Sequence, residues 1–398
     1  MWVRMQLKIE WSDLLSGVWN CLFSPDRKKL ENDLTQLWAP EGDAIACFSV
    51  RSGLDLLLQS LNWQEGEEIL FSALNVKGMV NIVKRHGLVP VPIDLDFGTM
   101  APRLDLMEQA ITTKTRAVLV AHLFGAHYDL DPLIEIARRH NLIIIEDCAQ
   151  CFDGLGYTGH KNADIAMFSF GPLKTATALG GALIRVKDPK LRTQMRQLQS
   201  TYPVQRHKIY LVRILKFAAL KIATTRVFLS LIYRMFSLLN KDYEDAIGNS
   251  VRGVAKLGNA QKLRFQPSAA LLAMIMRRLK KWKGDDLEAR TRTAKKFLSY
   301  LGEQVPVPSK DNPVHTYWAF PMVARAPKPL IRELRRAGYD AANLPKSQAV
   351  EPPEDRPELF PAVAQDTLQH LVVLPCHPGM SDTDLESQAN IIKRFLEK

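Results

Sequence analysis

Residues 142–154 read LIIIEDCAQCFDG and residues 167–184 read MFSFGPLKTATALGGALI. Four apolar residues in succession, Leu142 to Ile145, describe a strand covered on both faces, because a strand with one wet face alternates instead. Glu146 and Asp147 follow at its end. A carboxylate there is costly unless it meets a cation or caps the next helix, and Asp147 is open to both readings. The second stretch brings Ser169 and Lys174 to a strand-to-loop transition, after which Gly180 and Gly181 lead back into a strand.

Outward from this pair, residues 44–186 alternate helical stretches with short apolar runs: AIACFSV, EEILFSA, VPVPID, AVLVAHLF, DIAMFSF and GGALIRV. The repetition predicts an α/β fold, a mainly parallel sheet between helices, with ligands beyond the carboxyl ends of the strands. Residues 266–301 predict one long connecting helix, with Leu271, Leu272, Ile275, Met276, Leu279 and Trp282 on its apolar side. After it, HTYWAFPMV, LIRELRRAGY, a Pro-rich loop, HLVVLPCH and DTDLESQANIIKRFLEK describe a smaller C-terminal α+β domain. The expected division is an N-terminal arm with helices over 1–43, a large domain over 44–200, a basic apolar helical insertion over 201–256, and the connecting helix with the small domain over 257–398. A chain of 398 residues, 46% hydrophobic and 24% charged, suits two globular domains.

Three motifs stand in order: Ser52-Gly53-Leu54-Asp55-Leu56, Glu146-Asp147-Cys148-Ala149-Gln150, and Ser169-Phe170-Gly171-Pro172-Leu173-Lys174 with its Gly-Gly strand. Together they resemble the DegT/StrS-type aminotransferases, a family that typically works on nucleotide-linked sugars, and LPCHPGMSDTDL at 374–385 resembles its L-P-x-H-P segment. The resemblance is close over 44–188 and resumes loosely from about 266. It implies the PLP-transferase fold type I and the cofactor pyridoxal 5'-phosphate. It implies Lys174 as the Schiff-base lysine and proton shuttle, Asp147 opposite the ring nitrogen and Gln150 beside the phenolic oxygen. Ser169 and the helix start at Gly53, Leu54 and Asp55 are then on the phosphate. Such chemistry needs a lysine, a carboxylate that keeps the pyridine protonated, and donors around the phosphate. An amino-acid donor, glutamate in the family, a carbonyl acceptor and a homodimer are also implied.

The chain departs from the family pattern at several points. Leu54 replaces a threonine, leaving backbone N–H groups at the helix start for the phosphate. Asn75 stands where an aromatic ring is common. His122 is a candidate to lie against the cofactor and equally a core histidine. Asn259, Lys262 and Arg264 each compete for the position of the asparagine that reaches a neighbouring subunit's phosphate. Two rival readings are a PLP-dependent sugar dehydratase, whose relatives carry His where this chain has Lys174, and a membrane-surface scaffold that keeps the fold without turnover.

Five scattered cysteines do not form a disulfide framework, and the start lacks an uninterrupted apolar run, so a cytoplasmic protein is expected. Cys148 and Cys151 spell C-x-x-C, read here as small-residue positions, with no metal expected. Between Asp188 and Asp242 there is no acidic residue and there are eleven Lys or Arg, equal to the whole net charge of +11. Charges interrupt the apolar run of this segment, so it does not span a bilayer. At helical spacing Arg213, Lys216 and Lys221 share one broad face, with Ile214, Leu215 and Ala218 away from it. This predicts contact of 205–245 with an anionic membrane surface, peripheral on its inner face, the alternative being a hairpin on a partner subunit. A recognisable nucleic-acid module is missing, so no specific nucleic acid is expected.

Overall fold

The computed structural model describes residues 1–238 and 260–397. Strands β1 (Ala44–Cys47), β2 (Glu68–Ser72), β3 (Leu74–Val76), β4 (Val89–Ile93), β5 (Thr115–Ala121), β6 (Ala126–His127), β7 (Ile143–Asp147), β8 (Ile165–Ser169) and β9 (Ala182–Val186) precede the insertion. Seven of them form one sheet in the order β1-β9-β8-β7-β5-β2-β4. Pairs β8/β7, β7/β5, β5/β2 and β2/β4 are parallel, while β9 runs antiparallel to both neighbours. The apolar runs are the strands buried on both faces: Ile69, Leu70, Val118, Leu119, Ile144 and Ile145 are fully buried. The mainly parallel sheet expected from the sequence is present.

Helix α1 (Trp11–Leu22), α2 (Arg27–Trp38) and α3 (Val50–Leu61) precede and follow β1. Ser49 caps α3, its Oγ accepting from the Ser52 N–H at 3.1 Å. Gly53 lets α3 lie close on the sheet, since a Cβ there would collide with Ile184. Helices α4 (Lys77–Arg85), α5 (Leu104–Ala110), α6 (Asp131–Arg139), α7 (Pro189–Ser200), α8 (His207–Ala223) and α9 (Arg226–Leu238) follow in order. Of the expected insertion, residues 239–256 lie outside the described residues.

The single connecting helix is corrected to two, α10 (Ala269–Lys280) and α11 (Asp285–Leu301). Gly284 takes a left-handed φ of 78° and acids at Asp285, Asp286 and Glu288 start the second helix afresh. The two helices also face different cores: Leu271 and Ile275 pack with Trp38 and Phe168, whereas Phe297 and Leu301 pack with Phe320, Leu334 and Val372.

The face expected for α8 is likewise revised. Tyr210, Ile214 and Phe217 are buried in the main core, and Arg213 turns inward, its guanidinium donating to the Leu179 carbonyl at 3.2 Å. Burial pushes the Arg213 pKa down. A cation can satisfy a buried carbonyl, which helical periodicity alone does not reveal. Helix α1 is pinned to α10 through buried Asp13, held by Arg277 at 2.8 Å and Arg278 at 2.6 Å.

The C-terminal segment contributes β10 (Val314–His315), β11 (Phe320–Val323), β12 (Ser347–Ala349) and β13 (Leu371–Leu374). Strands β11 and β13 pair with each other, while β10 pairs with β6 and β12 with β3. Gly125 is the tightest joint between the two regions. Its φ is 100°, its carbonyl accepts the Thr316 N–H at 2.6 Å, and a Cβ there would lie 2.6 Å from the Trp318 nitrogen.

Gly125→Ala therefore meets both left-handed strain and a backbone collision. It should lower the unfolding free energy by about 2–4 kcal/mol in urea denaturation and shift tryptophan emission. An unchanged midpoint and spectrum would contradict this account of the joint.

Candidate active site

The carboxyl ends of β5, β7 and β8 lie side by side, with Ala121 opposite Asp147 and Asp147 opposite Met167. His122, Asp147 and Ser169 are therefore delivered to one edge of the sheet by strand register. The Lys174 loop follows β8 directly. The loop is closed by Phe170, whose carbonyl accepts from Ala178 and Gly180, and by Gly171, whose carbonyl accepts from Lys174.

The Lys174 ammonium lies over the Trp318 ring, 4.3 Å from its centroid. The indole is fixed in turn, donating from Nε1 to the Leu173 carbonyl at 2.8 Å. Burial pushes the Lys174 pKa down to about 8, against the opposing pull of Asp147 and Cys151. Burial pushes Asp147 up, countered by the Ala149 N–H on Oδ1 at 2.9 Å and by the charge of Lys174. Among the described residues, Oδ2 of Asp147 and Nζ of Lys174 have no hydrogen-bond partner.

Glu146 is satisfied instead. It accepts from His122 Nε2 at 2.9 Å, from the Tyr157 hydroxyl and from the His160 N–H at 2.6 Å. Burial opposes its charge, yet these donors hold its pKa down to about 2. His122 is 1% exposed, its backbone N–H donates to the Asp147 carbonyl, and its ring packs between His127 and Tyr128. Burial disfavours its charge, but Cys151 and Glu146 raise its pKa overall.

Gln150 accepts the Phe124 N–H at 2.9 Å through Oε1, leaving its amide N–H groups to donate. Ser169 Oγ accepts only a 3.4 Å contact from the Gly171 N–H. These four residues, Asp147, Gln150, Ser169 and Lys174, thus retain an acceptor, a donor, a hydroxyl and an amine. Leu54 and Asp55 do not add side chains to them. Leu54 is wholly buried in the core, and Asp55 is engaged by His86 at 3.0 Å and Arg264 at 3.0 Å. Gly53 serves helix-to-sheet packing. Asn75 is 4% exposed with an unpartnered amide nitrogen. Asn259 lies outside the described residues, and Lys262 sits in a short 3-10 turn.

Sequence reasoning missed three residues around the lysine: Trp318, Arg290 and His377. Arg290 is 9% exposed and reaches Thr175 Oγ1 at 3.4 Å. HTYWAF and LPCHP were visible as segments, but nothing local in them signals that they meet residues 174 and 175. Reading Cys148 and Cys151 from the sequence also missed His122. The three ligand atoms lie within 4.8 Å of one another, the one such metal-capable group among the described residues, all fully buried. Burial raises both thiols, but Cys148, His122 and His127 draw Cys151 down to about 6.

The donor set fits pyridoxal phosphate: an amine for its carbonyl carbon, an open carboxylate oxygen for a protonated ring nitrogen, and hydroxyl and amide donors for its oxygens. A curated relative, GDP-perosamine synthase of Caulobacter vibrioides, is 36% identical over 159 residues, 39% of this chain and 43% of that protein. The chain thus spans about two fifths of the length of the curated relatives it matches. Among solved structures, the aminotransferase TlmJ from Streptoalloteichus hindustanus superposes with a TM-score of 0.72 at 18% identity, covering 100% of this chain and 99% of that one. Spr1654 from Streptococcus pneumoniae in its PLP form gives 0.71 at 16% identity, over 100% and 99%. The fold is that of the type I PLP-dependent aminotransferases. With residues 7–393 matching its pattern, the chain belongs to the DegT/DnrJ/EryC1/StrS aminotransferase family.

Proposed function

We propose that this protein is a pyridoxal-phosphate aminotransferase that moves an amino group from an amino acid, glutamate by family resemblance, to a carbonyl on a sugar-bearing acceptor. The observation that carries the reading is the convergence of an unpaired amine, Lys174, with an unpaired carboxylate oxygen, Asp147, at the ends of adjacent parallel strands. The partial match to GDP-perosamine synthases supports the sugar.

The cofactor, when bound, supplies a carbonyl carbon and an electron sink. Lys174 offers its amine to that carbon and afterwards carries protons at Nζ, with the Trp318 face limiting where the ammonium swings. Asp147 keeps the ring nitrogen protonated, and Gln150 donates to the phenolic oxygen. Ser169 and the capped start of α3 hold the phosphate, helped by the partial positive charge of the helix. A homodimer completes the working unit.

The chain works on the cytoplasmic side, against an anionic membrane surface. The support is a set of exposed apolar side chains on adjoining helices. Trp11, Leu15 and Trp19 on α1 are 48%, 69% and 61% exposed at four-residue spacing, and Val227, Leu231 and Met235 repeat that spacing on α9. Helix α8 lies between them, contacting both. Lys208, Lys216, Lys221 and Arg234 on α8 and α9 supply positive charge, and these two helices carry no acidic residue. No helix among the described residues is long and apolar enough to cross a membrane.

Borohydride treatment of the protein with pyridoxal phosphate should leave an adduct on Lys174, found by peptide mapping and absent from Lys174→Ala, which should also lose turnover. The rate of adduct formation should rise with pH through about 8, because only the neutral amine attacks and protonated Lys174 gives it up in that range. An adduct confined to other lysines, or none, would replace this reading with a binding protein on the same fold.

Vesicles containing phosphatidylglycerol should sediment the wild-type chain, and Trp19→Glu with Leu231→Glu should reduce that binding at least about tenfold. If the double variant binds vesicles equally but loses a dimer in light scattering, the apolar face is a contact between copies and the membrane assignment fails.

A further inference from the structure

Beside Asp147 lies a second cluster that aminotransfer does not use. A ring nitrogen of His122 and the sulfurs of Cys148 and Cys151 lie within 4.8 Å of one another, and all three residues are buried. Side chains alternate along β7, so Glu146 and Asp147 leave opposite faces of the strand. Both His122 and Cys148 interact with Glu146. None of the three lines the slot around Lys174.

Local structure brings these groups together. The Cys151 N–H donates to the Cys148 carbonyl at 3.3 Å, a turn that sets side chains three residues apart on one side. His122 arrives from the end of the neighbouring strand β5, its N–H donating to the Asp147 carbonyl at 3.1 Å. Its Nε2 is committed to Glu146 at 2.9 Å, whereas its Nδ1 is buried with no partner. A histidine held by a carboxylate through one nitrogen and open at the other is the arrangement that metal-bound imidazoles adopt.

A tetrahedral zinc centre spaces sulfur and nitrogen ligands about 3.5–3.8 Å apart, so side-chain adjustments of about 1 Å suffice. Two thiolates also cancel a dication, and the complex then adds no net charge to a core that holds Trp38, Phe152, Phe168 and Phe170. A disulfide is the other chemistry open to this C-x-x-C pair, but it would leave Nδ1 of His122 as unpartnered as before. A metal ion satisfies all three groups at once. Two sulfurs and an imidazole select zinc over the oxygen-seeking calcium and magnesium.

We infer that His122, Cys148 and Cys151 bind a zinc ion, with Glu146 holding the imidazole from behind. His127 stands next to the fourth position, its Nε2 2.7 Å from the Cys151 carbonyl. The cysteines are therefore ligands, and not the small-residue fillers expected from their spacing. The ion's role is structural. It ties the end of β5 to residues 148–151, the segment whose Ala149 N–H meets Asp147 and whose Gln150 accepts from Phe124.

Because the site is covered, the metal is loaded during synthesis. The chain purified from cells grown with added zinc should carry about one zinc ion. Growth with cobalt should give the d–d bands of a tetrahedral ion together with thiolate-to-cobalt charge transfer. Cys148→Ala/Cys151→Ala should lower the metal content at least about tenfold, while Cys21→Ser should match wild type. EDTA should lower the thermal unfolding midpoint of wild type and leave that of the double variant where it is. The cobalt spectrum of wild type reports sulfur ligation by itself, so the test survives misfolding of the variant. Less than about a tenth of an ion per wild-type chain, equal content in the double variant, or cobalt bands without thiolate charge transfer overturns the site. Borohydride mapping of Lys174 in the same preparations separates the readings: an adduct without metal defeats the zinc site alone, and metal without an adduct defeats the aminotransferase reading alone.

Discussion

Two carboxylates in succession at the end of a fully buried strand set much of the architecture. Taken out of water side by side, Glu146 and Asp147 repel one another and each needs its own compensation. Glu146 receives His122, Tyr157 and the His160 N–H. That arrangement places a histidine directly after β5 and holds the loop between β7 and β8 against the sheet. Asp147 receives one amide and the field of a lysine, which leaves an oxygen committed to nothing in the protein. One carboxylate anchors the fold so that its neighbour is free for chemistry.

The sheet was legible because strands buried on both faces are apolar throughout, and short β-branched runs such as LIIIE recur between helical stretches. The cluster of Asp147, Gln150, Ser169 and Lys174 was legible for a related reason. All four lie within two consecutive strand ends, so their proximity in sequence survives as proximity in space. Trp318, Arg290 and His377 come from segments more than a hundred residues away. Their approach to the lysine is fixed by pairings such as Val314 with His127, which no local pattern encodes.

Other discrepancies have equally local causes. The sequence puts Arg213 on a basic face turned to an anionic membrane surface, but its guanidinium donates to the buried Leu179 carbonyl instead. Asp55 stands at the helix start whose backbone N–H groups are expected to face the phosphate, and its carboxylate is engaged separately by His86 and Arg264. The connecting segment looked continuous because its apolar positions keep helical spacing past Trp282. Gly284 ends that continuity with a backbone angle an ordinary residue adopts only at a cost.

The break between α10 and α11 also has a mechanical side. Trp282, at the junction, packs edge-on against Phe152 with ring centroids 5.0 Å apart, and its indole nitrogen occupies the space a Cβ on Gly154 would need. Phe152 is two residues beyond Gln150. The junction is thus packed against the segment that carries Gln150, and α11 leads from it to Arg290. Trp282 therefore couples the packing of this helix junction to the loop after β7, in addition to the Gly125 joint and the Trp318 contact with Leu173.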